Sequence, residues 1–278
     1  MEEFEFLRDV TIGQYLPINS FLHRLDPRAK LVAFLAIVLA VTLTGTYLGS
    51  AVLLAVTLLL VAAARIPIGY ALAGIRPALP FILILVALQI LFPPPSVGSP
   101  VVFTFGPIAL TADNVRLIVI SMVRLVEFIL LVSLLTFTTT TTAIAHGQES
   151  LLDPLKRIGL PVHEFALTMT IALRFVPIIA EEAERLVKAQ ASRGADLATG
   201  SRFRFIQQTR KLIPLVVPLF ISALERAEEL IVAMEARGYL GGKGRTRYVR
   251  FHATAVDLGA VVLALVFVAA VLIAPFPF

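Results

Sequence analysis

The sequence predicts an all-α integral membrane protein with about five transmembrane helices and long amphipathic cytoplasmic helices. Of its 278 residues, 58% are hydrophobic and 15% charged, whereas soluble domains are about half apolar and a quarter charged. Between residues 143 and 250 there are 16 Lys and Arg against 11 Asp and Glu, and the rest of the chain is neutral. Because basic loops stay in the cytoplasm, we expect this segment to be cytoplasmic.

Three parts follow from this charge pattern. Residues 1–142 hold an N-terminal segment and four transmembrane helices, residues 143–250 form the cytoplasmic helices, and residues 251–278 form a C-terminal transmembrane helix. The N-terminus is expected on the cytoplasmic side of a membrane that the chain crosses several times. Nucleic-acid binding is not expected, because the basic residues alternate with acidic ones.

The first three spans are delimited by charges and prolines. Leu31–Ala64 contains no charged residue and is interrupted by TGTYLGS, residues 44–50, which predicts a hairpin of two helices. Each arm is close to the minimum of ~17 residues for crossing a membrane. A third span follows Pro77 and ends before the prolines from Pro93 onwards, because proline breaks helices. The stretch from there to Asn114 is predicted to be an external loop.

Two further spans are predicted towards the C-terminus. The fourth, residues 115–137, carries Arg124 and Glu127 three positions apart, so these side chains could form a pair facing neighbouring helices or serve a function. Five threonines at 138–142 are expected to end it. The last span covers residues 253–274. The prolines and short lengths of Phe165–Ala180 and Leu212–Leu224 favour interfacial or subunit-packed helices, with seven spans as the alternative.

A helix ending occurs twice in the predicted cytoplasmic region. EEAERLVKAQASRG (181–194) aligns with ERAEELIVAMEARG (225–238) at an offset of 44, with 7 of 14 residues identical. Arg in a last turn followed by Gly is the usual C-terminal cap of a helix. Two copies in the same register also suit docking to two partner surfaces, because the planar guanidinium binds carboxylates or carbonyls with two hydrogen bonds.

These segments resemble the paired Arg-Gly signatures of the transmembrane (T) component of energy-coupling factor (ECF) transporters. IGQYLPINSFLHRLDPRAKL (12–31) and ESLLDPLKRIGLPVHEFALTMTIALRFVP (149–177) are similar to two other segments of that family. EARGYLGGKGRTRY (235–248) resembles its shared, housekeeping type. The similarity extends over roughly residues 11–250.

The resemblance implies a non-catalytic subunit of an ATP-driven importer of vitamins or related micronutrients, located in the inner or plasma membrane of a prokaryotic cell. Its partners would be two cytoplasmic ATP-binding cassette ATPase subunits, which bind ATP and Mg, and a small membrane substrate-binding (S) subunit. This chain itself would bind no cofactor and no metal. The residues implied to couple to the ATPases are Ala189, Arg193, Gly194, Ala233, Arg237 and Gly238.

The same resemblance assigns apolar faces of the cytoplasmic helices to the S subunit. On the second repeated helix these positions recur at helical spacing, and they are Phe220, Leu224, Ile231 and Met234. We expect this stripe to be buried against a partner or against another helix of the same kind. A dedicated cobalt/nickel or biotin system is the alternative to the shared type.

Two other classes of protein fit the sequence less well. An intramembrane enzyme needs convergent acids, bases or a metal site, but the four histidines are widely separated and no metal-ligand spacing occurs. A secondary transporter usually contains inverted membrane repeats, whereas the repeat here runs in parallel register. Lys243 is followed by Gly and lacks the glycine spacing of a phosphate-binding loop, so ATP would be bound by another chain.

Overall fold

The structure is a computed structural model that describes residues 15–92, 100–105, 108–153, 162–194, 205–239, 241 and 254–274. Its contacts divide the chain into two compact units, which we treat separately. The membrane unit comprises residues 13–151 and 250–278, and the long-helix unit comprises residues 1–12 and 152–249.

Most of the described residues are helical, as the sequence predicts. The elements in chain order are α1 (Phe21–Arg24), α2 (Pro27–Leu43), α3 (Tyr47–Ala63), α4 (Ile68–Ala73), α5 (Ile75–Leu91), β1 (Val101–Phe105), β2 (Ile108–Thr111), α6 (Ala112–Thr138), α7 (Thr141–Leu152), α8 (Val162–Ser192), α9 (Phe205–Ala236) and α10 (Ala255–Ile273).

The predicted helical hairpin is confirmed as α2 and α3. The Asp26 side chain caps α2 by accepting from the backbone N–H of Arg28 at 2.9 Å, and Pro27 occupies the first helical position, where its missing donor costs nothing. The Thr46 side chain caps α3 in the same way. Both helices have 17 residues, close to the shortest length that crosses a bilayer.

The loop predicted before Asn114 contains an element that the sequence analysis missed. β1 and β2 form a two-stranded antiparallel hairpin in which Phe105 pairs with Ile108. Its strands, VVFTF and IALT, are rich in the β-branched and aromatic residues that favour extended backbone. The proline-rich segment 93–99 lies outside the described residues.

Arg124 and Glu127 on α6 do not form the ion pair that their spacing predicts. The Arg124 guanidinium instead donates to two backbone carbonyls at the end of α2, those of Val41 at 3.1 Å and Thr44 at 2.8 Å. Those carbonyls belong to the last turn of a helix, where no intrahelical donor is available. Glu127 is buried and its Oε1 has no hydrogen-bond partner.

The core of the membrane unit lies where α2, α3, α6 and α10 meet. One cluster joins buried alanines of α2, including Ala36 and Ala40, to Leu53, Leu131 and Val268 on the other three helices. Small residues at such an interface let helix backbones approach closely, and this packing replaces the hydrophobic effect between helices in lipid. A second cluster surrounds the end of α3 and includes Val61 and Leu134.

Polar groups join the same four-helix region at one end, where α2 and α10 begin and α6 ends. The Asp257 carboxylate accepts from the backbone N–H of Asp26 at 2.8 Å and from the Thr254 N–H and hydroxyl, thereby linking the starts of α2 and α10. Lys30 Nζ donates to the Thr138 carbonyl at the end of α6 at 2.9 Å. The Asp257 carboxylate and the Lys30 ammonium are thus satisfied within the chain at this end of the bundle, as a nonpolar environment requires.

Two of the described helices, α6 and α10, are long and apolar enough to cross a membrane by length and composition. Helices α3 and α5 are apolar but shorter. The number of spans therefore stays a prediction.

The long-helix unit contains α8 and α9, which pack against each other. The apolar runs Phe165–Ala180 and Leu212–Leu224 are parts of these helices and continue into their charged halves without a break. Their prolines, at 177, 214 and 218, lie inside the helices. Their location at a membrane interface stays a prediction.

Candidate functional site

The end of α9 is a glycine-terminated cap. Gly238 has φ +73°, in the left-handed region, and its N–H donates to the Glu235 carbonyl at 2.9 Å. The Tyr239 N–H donates to the Met234 carbonyl at 3.0 Å. These two bonds form the Schellman motif, which satisfies carbonyls that the last helical turn leaves open.

The end of α8 has the same form as far as it is described. Gly194 has φ +80°, and its N–H donates to the Ala191 carbonyl at 3.0 Å. No atom lies within 4 Å of where a Cβ would stand at Gly194 or Gly238. Glycine is therefore favoured at both positions by backbone conformation rather than by crowding. The sequence-based interpretation of both endings as glycine caps is confirmed.

The two arginines that precede these glycines are exposed. Neither the Arg193 nor the Arg237 guanidinium has a hydrogen-bond or ion-pair partner among the described residues. Ala189 and Ala233, each four positions earlier and therefore on the same helical face, are also exposed. Each helix tip thus presents a guanidinium beside a small side chain, which leaves a planar donor accessible to a partner surface.

The two repeated helices are joined at equivalent positions of the repeat. The Arg226 guanidinium of α9 lies 3.4 Å from the Glu182 carboxylate of α8, and these residues are 44 positions apart, the offset of the repeat. This pair was not predicted from the sequence. The alignment places an acidic residue at 182 and a basic residue at its counterpart 226, which allows an ion pair but does not bring the two side chains together. The ion pair joins α8 and α9 about ten residues before each helix ends.

The apolar stripe of α9 is only partly as predicted. Phe220 is 63% exposed, Leu224 49% and Ile231 51%, whereas Met234 is partly buried. The first three residues are therefore not buried against α8, which was one of the two expected ways of covering them. Within the described part of the chain, this face is open along about three turns of α9.

No group of three or more His, Cys, Asp or Glu side chains able to hold a metal occurs among the described residues. Two exposed features of the long-helix unit are the guanidiniums of Arg193 and Arg237 and the apolar stripe of Phe220, Leu224 and Ile231. Such groups bind other macromolecules by hydrogen bonding and apolar contact.

The described structure is that of a helical membrane protein whose two long helices end in matched, exposed tips. A model of the cobalt transport protein family, CbiQ, matches residues 18–248 of this chain. Proteins named energy-coupling factor transporter transmembrane protein EcfT are similar over most of their length. The one from Ruminiclostridium cellulolyticum is 39% identical over 98% of this chain and 99% of its own.

Two further relatives with the same name agree. The protein of Heliobacterium modesticaldum is 46% identical over 87% of this chain and 88% of its own, and that of Bacillus subtilis is 40% identical over 94% and 96%. The chain belongs to this family, the transmembrane (T) components of ECF transporters. The resemblance inferred from the Arg-Gly segments is confirmed, and with it membership of a transporter complex in a membrane.

Proposed function

We propose that this chain couples two ATP-binding cassette ATPase subunits to a small membrane substrate-binding subunit in an ECF importer. The observation that carries the proposal is the pair of matched tips on α8 and α9, each with an exposed Arg before a left-handed Gly. ATP and Mg are bound and ATP is hydrolysed by the partners, and the cargo is a vitamin or related micronutrient.

The geometry of the long-helix unit supports a division of roles within this proposal. Arg193 and Arg237 each dock one ATPase subunit, because a guanidinium fork pairs well with acidic or carbonyl groups. The open stripe of Phe220, Leu224 and Ile231 receives the substrate-binding subunit. Since α9 carries both a tip and the stripe, a displacement of its tip by an ATPase moves the surface that holds the membrane partner.

The first prediction tests the docking role. Arg193→Ala combined with Arg237→Ala should abolish co-purification of the ATPase subunits and substrate uptake, whereas each single variant should remain partly assembled. Truncation of a buried, hydrogen-bonded charge at an interface costs on the order of 2–5 kcal/mol of association free energy. Arginines that served only as helix-end charges would cost about 0.3–1 kcal/mol of local stability.

Two controls make this test specific. Lys at both positions should restore assembly only in part, because it keeps the charge and loses the bidentate fork. Arg185→Ala removes an exposed arginine from α8 that already pairs with Glu181, so it should leave assembly unchanged. If the double Ala variant bound the ATPases and transported like the parent, both arginines would serve only as helix-end charges.

The second prediction concerns orientation, with the N-terminus and residues 143–250 in the cytoplasm. The chain has no cysteine, so single cysteines report without background. In intact cells a membrane-impermeant thiol reagent should label Ser96→Cys and spare Ser201→Cys, both of which lie outside the described residues. In broken cells both should react. Strong labelling of position 201 and none of position 96 in intact cells would reverse the orientation.

A further inference from the structure

A cleft of about 230 Å³ lies inside the membrane unit, between α1, α2, α3, α6 and α10. We call it the α2–α10 cleft. Its walls are mainly aliphatic and aromatic, and they include Phe34, Ile37, Leu60, Leu131 and Phe267. Three of the lining residues are alanines, Ala33, Ala260 and Ala264, and a larger side chain at these positions would reduce the volume of the cleft. An apolar cavity of roughly 150 Å³ already accepts a benzene ring and stays dry.

The cleft opens on the outer, apolar surface of the bundle. Leu263 lines it and is 74% exposed, so this residue stands at the mouth. The adjoining face of α10 carries further exposed aliphatic side chains, including Val262 and Val266. In a membrane-spanning helix such a surface is covered by lipid hydrocarbon, and the cleft is continuous with it.

The cleft extends along about two turns of α2 and of α10. Its walls extend from Lys30 to Ile37 on α2 and from Ala260 to Phe267 on α10. At 1.5 Å per residue this is about 10 Å, roughly a third of a ~30 Å hydrocarbon core. An apolar space of this length that opens on an apolar surface suits a segment of hydrocarbon chain better than a polar solute.

Lys30, the charged residue that lines one end of the cleft, needs no hydrogen-bond acceptor from a ligand. Lys30 Nζ donates to the carbonyls of Thr138 and His23 at 2.9 and 3.2 Å and to Thr139 Oγ1 at 3.3 Å, so all three of its donors are used. A polar ligand would leave hydrogen-bonding groups unpaired along the apolar walls. A hydrocarbon chain loses nothing there and gains dispersion contacts that an empty cleft lacks.

We propose that the α2–α10 cleft binds one acyl chain of a bilayer phospholipid and retains that lipid while the surrounding lipids exchange. The bound chain completes the packing between α2 and α10, the two helices that Asp257 already links at their starts. This inference concerns the membrane unit alone and stands independently of the proposed coupling role.

The chain has no tryptophan, which allows a direct optical test. Leu263→Trp places a single fluorophore at the mouth, and Leu265→Trp, exposed on the opposite side of α10, reports on ordinary surrounding lipid. The full chain would be prepared in mixed micelles of detergent and phosphatidylcholine with brominated acyl chains, which quench tryptophan, and then diluted into excess micelles with unbrominated lipid. Fluorescence should recover at once for Leu265→Trp and should stay partly quenched for Leu263→Trp.

Cleft-filling variants identify the retained molecule. Ala264→Leu on α10 and Ala33→Leu on α2 fill the cleft from two walls, and Ala269→Leu, at an exposed alanine of α10, is the matched control. Mass spectrometry of the purified chain should find one retained phospholipid in the parent and in Ala269→Leu, and none in either filled variant. Both filled variants should unfold at a temperature no lower than the parent, because filling replaces the contacts of the chain.

Three results would overturn the proposal. Equal, immediate recovery at both tryptophans would mean that only exchanging lipid reaches the mouth. Unchanged lipid retention in the folded filled variants would place the lipid elsewhere. If the Leu263→Trp fluorescence escaped quenching by brominated lipid only after a partner membrane subunit was added, a protein side chain would occupy the cleft.

Discussion

Lys30, Arg116 and Arg124 in the membrane unit donate to backbone carbonyls of the chain itself, whereas Arg193 and Arg237 have no partner among the described residues. The first three satisfy acceptors at helix ends and turns where lipid offers no donor. The other two sit on helices whose carbonyls are already satisfied by glycine caps. Arginines whose guanidinium makes no hydrogen bond or ion pair within the described chain, such as Arg193 and Arg237, are available to bind partner proteins.

The largest predicted effect on the stability of the chain comes from a cation that the fold does use. Arg124→Ala should lower the free energy of unfolding by about 1.5–3 kcal/mol, because it removes charge-assisted bonds to the Val41 and Thr44 carbonyls. Thermal unfolding of the purified chain in detergent measures this. Arg116→Ala is the control. The Arg116 guanidinium donates to the Gly45 carbonyl in an exposed position, so its removal should lower the free energy of unfolding by less.

Arg193→Ala and Arg124→Ala are expected to differ in their effect on the unfolding temperature of the isolated chain. Arg193→Ala should leave the unfolding temperature of the isolated chain near that of the parent, since no described contact is lost. If Arg193→Ala destabilised the isolated chain as much as Arg124→Ala, a structural role would account for the helix tip.

The next effect in size concerns the open stripe of α9. Leu224→Glu should weaken assembly of the transporter while leaving insertion and folding of the chain intact, because Leu224 is already half exposed. Each aliphatic side chain that a partner fully desolvates is worth about 1.5–3 kcal/mol. Co-purification of the membrane partner subunit is the measurement. Ile221→Glu, equally exposed but beside the stripe, should assemble better; equal loss in both variants would argue against a defined stripe.

Some of this architecture was predictable because its signals are local in sequence. Charge-free runs mark most of α2 and α3, and the prolines from Pro93 onwards mark the end of α5, although α5 begins at Ile75 and therefore includes Pro77. The Arg-Gly endings predict the caps of α8 and α9 without reference to other segments. Tertiary partners were not predictable in this way. Arg124 has an acidic residue one turn away, yet its hydrogen bonds go to carbonyls 80 and 83 positions distant.

The hairpin β1–β2 and the Glu182–Arg226 pair were missed for different reasons. The strands follow a proline-rich stretch, and that stretch dominated the interpretation of the whole segment as a loop. The ion pair depends on how α8 and α9 pack together, which a parallel repeat in sequence does not specify. Exposure of the stripe likewise depends on which face of α9 turns towards α8, and periodicity alone cannot decide that.

The smallest predicted effect tests whether the caps hold the arginines in place. Gly194→Ala and Gly238→Ala should each cost about 1 kcal/mol, because an L-residue is strained at positive φ although nothing would touch the new Cβ. Hydrogen exchange in the last turn of the affected helix should speed up roughly five-fold, which corresponds to this energy. The rest of that helix should keep its protection, since the strain is confined to the cap.

A glycine from the membrane unit supplies the matched control for the caps. Gly259 lies inside α10, outside the positive-φ set, and also has open space where a Cβ would stand. Gly259→Ala should therefore stabilise the chain by about 0.5–1 kcal/mol, the opposite sign, because alanine loses less conformational freedom in a helix. Because a frayed tip no longer holds its arginine, Gly238→Ala should also reduce ATPase co-purification modestly, less than Arg237→Ala does. If Gly238→Ala exchanged like the parent, the left-handed cap would not be what positions Arg237.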